Sequence, residues 1–117
     1  MHRFISTLAA VAAIATASPA FAHARLVSAT PASGATVTAP QSVSLTFSER
    51  FAAPFSTVEV VNGQGRAVAL QQSVSEDGKI LRGAFERRLI AGSYTVRWAI
   101  AAADGHRMTG SYSFTVR

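Results

Sequence analysis

From residue 25 onward the chain alternates. Ser42-Val43-Ser44-Leu45-Thr46-Phe47 puts an apolar side chain at every second position, the period of a strand with one buried and one wet face. Tyr94, Val96, Trp98 and Ile100 alternate in the same way with Thr95 and Arg97. Tyr112, Phe114 and Val116 alternate with Ser113 and Thr115. Turn residues separate such runs: Thr30-Pro31-Ala32-Ser33-Gly34, Asn62-Gly63-Gln64-Gly65, Asp77-Gly78 and Ala91-Gly92. Strands are therefore expected at 25–28, 42–47, 57–61, 67–70, 80–85, 93–100 and 110–116, with 67–70 as the hairpin partner of 57–61. No segment beyond residue 23 sustains a 3.6-residue period; the Ala-rich stretch 99–103 is short and lies between strands. The pattern predicts an all-β, immunoglobulin-like Greek-key sandwich or barrel of about seven strands. Trp98, Tyr94, Phe47, Phe85 and Phe114 are its expected core aromatics.

The first residues follow another pattern. Met1-His2-Arg3 carries one firm positive charge, and residues 4–17 are uncharged and rich in Ala, Ile, Leu and Val. Ser18-Pro19 breaks the run, and Ala20-Phe21-Ala22 offers small residues at the −3 and −1 positions of a cut. This is the layout of a cleaved secretory signal peptide, residues 1–22, and the apolar run is too short for a bilayer core of about 30 Å. The expected product is a single domain, residues 23–117, outside the cytoplasm.

Composition then removes chemistries. The 117 residues contain no cysteine and three histidines, which excludes disulfide frameworks, thiolate metal sites and thiol nucleophiles. No G-x-S-x-G supports serine-hydrolase chemistry. The net charge of +5 falls to +4 without Arg3. The arginines are scattered, with only Arg87 and Arg88 adjacent. Without a basic stripe or a recognised motif, nucleic acid is not an expected partner.

Cleavage after Ala22 gives the remaining chemistry a focus, because it makes His23 the N-terminal residue. Its α-amine and imidazole Nδ1 can then close a chelate ring on Cu(II), Ni(II) or Zn(II); without that cut, His23 is an ordinary residue of a frayed end. The other remaining histidine lies in Asp104-Gly105-His106. Asp-Gly is first of all a turn signal, and a histidine after it can be incidental. Together, His23, Asp104 and His106 would offer three nitrogens and one oxygen, a tetragonal set suited to Cu(II).

At this point the chain resembles a known family. His23-Ala24, the L-V-S-A-T-P-A-S-G of residues 26–34, the L-T-F-S-E of 45–49, the G-S-Y-T-V-R-W of 92–98, the A-D-G-H of 103–106 and the G-S-Y-S-F-T-V of 110–116 are together similar to the CopC family of periplasmic copper-binding proteins. The resemblance implies a β-sandwich and a non-enzymatic Cu(II) carrier or buffer in copper homeostasis or resistance. It implies that copper is held by the His23 amine and imidazole, the Asp104 carboxylate and the His106 imidazole. Glu49 would stand beside the site, accepting a hydrogen bond from the amine or from His23. The partner it implies is an inner-membrane copper transporter of the CopD type, with membrane association through that partner only. Some members add a methionine-rich Cu(I) site. Here Met108 is the one methionine beyond the leader, which suggests a Cu(II)-only member with Met108 as packing; nothing in the sequence suggests more than a monomer. Two other readings are weighed: a histidine-brace copper monooxygenase, and a metal-free immunoglobulin-like module.

Overall fold

Eight strands and a single short 3-10 turn, Ala53–Phe55, make up the computed structural model, which describes residues 24–117. The strands are β1 Leu26–Thr30, β2 Thr36–Val37, β3 Ser42–Phe47, β4 Thr57–Asn62, β5 Leu70–Val74, β6 Ile80–Phe85, β7 Gly92–Ala101 and β8 Arg107–Val116. They form two four-stranded sheets, ordered β1-β3-β6-β5 and β2-β8-β7-β4. All pairings are antiparallel except β2 with β8. The all-β sandwich is as the alternation predicts. The leader and His23 lie outside the described residues. Among the described residues no helix is long and apolar enough to cross a membrane.

Two details depart from the sequence reading. The eighth strand is Thr36–Val37, two residues whose pairing with Thr115 and Val116 no alternation could reveal. The expected strand at 67–70 exists only as a beginning. Ala67 bridges Val61, and the Val68 N–H donates to the Val60 carbonyl at 2.8 Å. The chain then crosses to the other sheet, and residues 70–74 pair with β6 instead. A hairpin turn fixes where a partner strand begins; the core decides how far it runs.

The inward faces meet in one cluster. Val43, Leu45 and Phe47 of β3, Leu81 of β6, Val60 of β4, Val96 and Ile100 of β7 and Phe114 of β8 are buried there. Tyr94 is buried and stacks on Phe114 at 5.6 Å. Its hydroxyl donates to the Ile90 carbonyl at 2.6 Å, the corner bond that pins a strand to the preceding loop in many Greek-key sandwiches. Trp98 and Phe85 pack on the cluster while keeping part of their surface exposed. Trp98 meets Phe47 edge-on at 5.0 Å, and Phe47 meets Phe51 in the same way at 5.4 Å. That aromatic line runs toward one pole of the sandwich. The pole gathers the start of β1 and the β3–β4, β5–β6 and β7–β8 connections.

Candidate metal centre

The β7–β8 connection is built around Asp104-Gly105-His106. After Ala101 pairs with Arg107, the Ala102 N–H donates to the His106 carbonyl and the Gly105 N–H to the Ala102 carbonyl, each at 2.9 Å. The connection is thus a tight three-residue turn that ends on a left-handed residue. Gly105 has φ +86°, a conformation that strains any side-chain-bearing residue.

Asp104 has two jobs in that turn. Its Oδ1 accepts the backbone N–H of His106 at 2.9 Å, the local bond that makes aspartate a turn former. Its Oδ2 lies 2.8 Å from the His106 Nδ1. An ionised carboxylate only accepts, so a neutral His106 carries its proton on Nδ1 and its lone pair on Nε2. The imidazole is therefore held in one tautomer and one orientation before any ion arrives, as metal-ligating histidines commonly are. Both groups are accessible: the His106 side chain is 67% exposed and that of Asp104 35%. The D-x-H spacing works because one carboxylate reaches the backbone and the ring of the same residue two positions on.

The segment after β3 joins this turn to the start of the chain. The Ser48 N–H donates to the Arg25 carbonyl at 2.8 Å, and the Arg25 N–H donates to the Ser48 Oγ at 3.0 Å. Three residues later, Phe51 bridges Ala102, and the Ala52 N–H donates to the Ala101 carbonyl at 2.8 Å. Residues 48–52 thus have Arg25 on one side and the base of the Asp104–His106 turn on the other. Glu49 sits within that link and is exposed. Ala24 is completely buried in the core cluster, so the chain is anchored right up to the first described residue.

Of the four residues read from the sequence, the structure brings Asp104 and His106 into contact and places Glu49 in the adjoining link. His23 lies outside the described residues. Among those residues no group of three or more His, Asp or Glu could enclose an ion, so Asp104 and His106 supply two donors and Glu49 does not complete a third. Met108 packs against the core as expected. Sequence reasoning missed Phe51 and Ser48, the residues that tie the pole together. The available signal was Phe47 and Phe51 flanking Ser-Glu-Arg, apolar residues too regular for a free loop.

Fold and turn define a class: a small two-sheet Greek-key sandwich that presents an imidazole, oriented by a carboxylate, at one pole. The family follows from comparison with known proteins. A model described as the CopC domain matches residues 26–117, and the chain belongs to the CopC family. Copper resistance protein C of Xanthomonas campestris pv. juglandis is 33% identical over 119 residues, covering 96% of this chain and 94% of the relative. The crystal structure of PcoC, a methionine-rich copper resistance protein from Escherichia coli, superposes with a TM-score of 0.75 at 32% identity, covering 82% of this chain and 100% of PcoC. CopC from Methylosinus trichosporium OB3b gives a TM-score of 0.75 at 29% identity, covering 80% of this chain and 93% of that one.

Proposed function

We propose that this protein is exported, cut after Ala22, and binds one Cu(II) ion in the periplasm as a carrier or buffer. The ion is held by the amine and imidazole of His23, the His106 imidazole and the Asp104 carboxylate, with Glu49 beside them. The observation that carries this reading is the preset Asp104–His106 pair at the pole where β1 begins. In the sequence, residue 23 directly precedes the buried Ala24. A cut after Ala22 would create a two-nitrogen chelate where a third nitrogen and a carboxylate are already fixed. Linking the two His23 donors covalently makes the second contact intramolecular.

Preference for Cu(II) over Cu(I) rests on donor chemistry. The set is nitrogen and oxygen, the chain has no cysteine and two methionines, and Met108 is used in packing. PcoC, by contrast, is methionine-rich. A terminal amine must lose its proton to bind, and an amine ordinarily titrates near 7.7–8.0, so affinity falls as the solution is acidified. The terminal arm offers the route for handover: peeling it back removes two nitrogens at once, and an inner-membrane transporter of the CopD type is the proposed acceptor.

The test is to place one glycine before His23 in the processed protein. The amine then no longer shares a residue with the imidazole, and Cu(II) affinity should fall about 100-fold or more, with one nitrogen lost from the EPR hyperfine pattern. Equal affinity in the extended and processed proteins, or a processed chain whose mass places its start elsewhere, overturns the proposal.

A further inference from the structure

The arginines that look scattered along the chain are sorted in space. Arg82 and Arg97 lie mid-strand, and strand directions assign the others to a pole. The pole that holds Asp104 and His106 is balanced: its four arginines and lysines are matched by Glu49, Glu76, Asp77 and Asp104. The opposite pole gathers the β4–β5 and β6–β7 connections and the end of β8. There Arg66, Arg87, Arg88 and Arg117 are all exposed, and among the described side chains Glu86 is the one carboxylate. Glu86 already accepts the Gln71 Nε2–H at 2.7 Å. Most of the positive excess of the domain therefore lies at the end away from the candidate metal centre.

The same pole carries the most exposed large apolar side chain among the described residues, Ile90, at 78%. Its backbone is not loose. Leu89 before it is buried in the core, and the Ile90 carbonyl accepts the Tyr94 hydroxyl bond. The loop is thus pinned from beneath and holds Ile90 outward. Ile90 lines a surface groove of about 510 Å³ together with Arg87 and Arg88, and the same two arginines line a second groove of about 520 Å³.

From this arrangement we propose that the pole docks on an anionic phospholipid surface. Arg66, Arg87 and Arg88 meet headgroup phosphates, and Ile90 enters the boundary between headgroups and acyl chains. Cations around one protruding apolar side chain suit an interface that is charged outside and apolar just beneath. An acidic protein surface would match the charge but leave Ile90 without a partner. The geometry has a consequence for orientation. Ten residues of β7 and β8 separate the poles, about 30 Å at strand rise, so the docked domain faces Asp104 and His106 away from the bilayer.

The test uses the protein purified in its exported, metal-free form, so its outcome is independent of copper binding. Sedimentation with vesicles of phosphatidylglycerol and phosphatidylcholine is compared with sedimentation on phosphatidylcholine alone. Binding to the anionic vesicles only is expected. The double variant R87Q/R88Q should weaken it about tenfold or more, while R50Q/K79Q, which removes the same charge from the other pole, should weaken it less than about threefold. The I90S variant should retain binding at low salt and lose what persists at high salt, where screening leaves the apolar contact. Far-ultraviolet circular dichroism checks that each variant is folded. Absence of binding to anionic vesicles, equal losses from the two charge pairs, or an I90S variant identical to the parent at high salt overturns the proposal. Retention on immobilised poly-glutamate without vesicle binding overturns it in favour of an acidic protein partner.

Discussion

Replacing Gly110 by alanine tests the aromatic line that braces the candidate metal centre. A Cβ at this position would lie 2.3 Å from Cζ2 of Trp98, 2.6 Å from Cε2 and 2.9 Å from Nε1. Ordinary carbon contacts need about 3.5–4.0 Å, so the indole edge would have to retreat by more than 1 Å. Phe47 stands in its way: it packs edge-on at 5.0 Å, is itself buried, and is braced by Phe51. The alternative, moving β8, is opposed by the register that pairs Gly110 with Trp98 itself within a ten-residue ladder.

With both routes resisted, the cost belongs at the upper end of overpacking penalties, about 3 kcal/mol. Alanine recovers about 0.4–1 kcal/mol by restricting the unfolded chain, which leaves a net loss of about 2 kcal/mol. For a domain of this size that lowers Tm by about 8–16 °C. Thermal unfolding read by circular dichroism and by the emission of Trp98, the one tryptophan, measures it directly. In a W98L background the obstructing ring is gone, and alanine at 110 should then cost less than about 0.5 kcal/mol. The difference is the coupling energy of the pair. A G110A protein within 0.5 kcal/mol of the parent, or an equal cost in both backgrounds, would refute the reasoning.

Other outcomes follow from single groups. The D104N variant keeps one acceptor oxygen, for the His106 backbone N–H, but loses both the charge and the acceptor beside the ring; Cu(II) affinity should fall about 10- to 100-fold by calorimetric titration, and unchanged affinity would remove Asp104 from the site. Among the described residues the buried Tyr112 hydroxyl has no hydrogen-bond partner, and burial pushes its pKa from 10.0 up to about 12. Between pH 10 and 12 the unfolded chain releases this proton while the folded one keeps it, so stability falls with rising pH across that window. Screening by solvent around the half-buried ring limits the loss to about 1 kcal/mol, and denaturant melts of Y112F should lack it, whereas identical alkaline profiles would contradict it. At the Asp77 turn the sign reverses. Hydrogen bonds from the Ser75 hydroxyl and the Lys79 N–H hold the carboxyl below its ordinary value, so the parent should lose slightly more stability than D77N as pH falls below about 4.

How far the sequence could be read depended on the range of the interaction that decides each feature. Alternation marked β3, β7 and β8 because a half-buried strand declares itself within six residues. Asp104-Gly105-His106 was legible for a similar reason: the turn, the backbone bond and the Oδ2–Nδ1 contact are all local to three residues. The crossing of the chain at Leu70 was not legible, since the choice between continuing along Val60 and joining Phe85 is made by the core on each side. Phe51 was passed over because its bridge to Ala102 spans half the chain.

Charge is the clearest case of information that only the fold releases. Along the chain, Arg66 and the Arg87–Arg88 pair are about twenty residues apart, with Lys79 and Arg82 between them. No linear window reports a cluster. From β3 onward each strand carries the chain from one pole to the other, so residues in alternate connections share a pole while those in successive ones do not. Arg66 lies in the β4–β5 connection and Arg87 and Arg88 in the β6–β7 connection, on the same end; Lys79 lies in the β5–β6 connection, on the other. A net charge that points to no partner when read as a sum becomes a dipolar distribution once strand direction is known. The pole it leaves nearly neutral is the one where a divalent cation would have to enter, and there the carboxylates of Glu49, Glu76, Asp77 and Asp104 offset their cationic neighbours. If copper binds at this pole as proposed, sorting the positive charge to the far end lowers the repulsion that a basic protein would otherwise present to it.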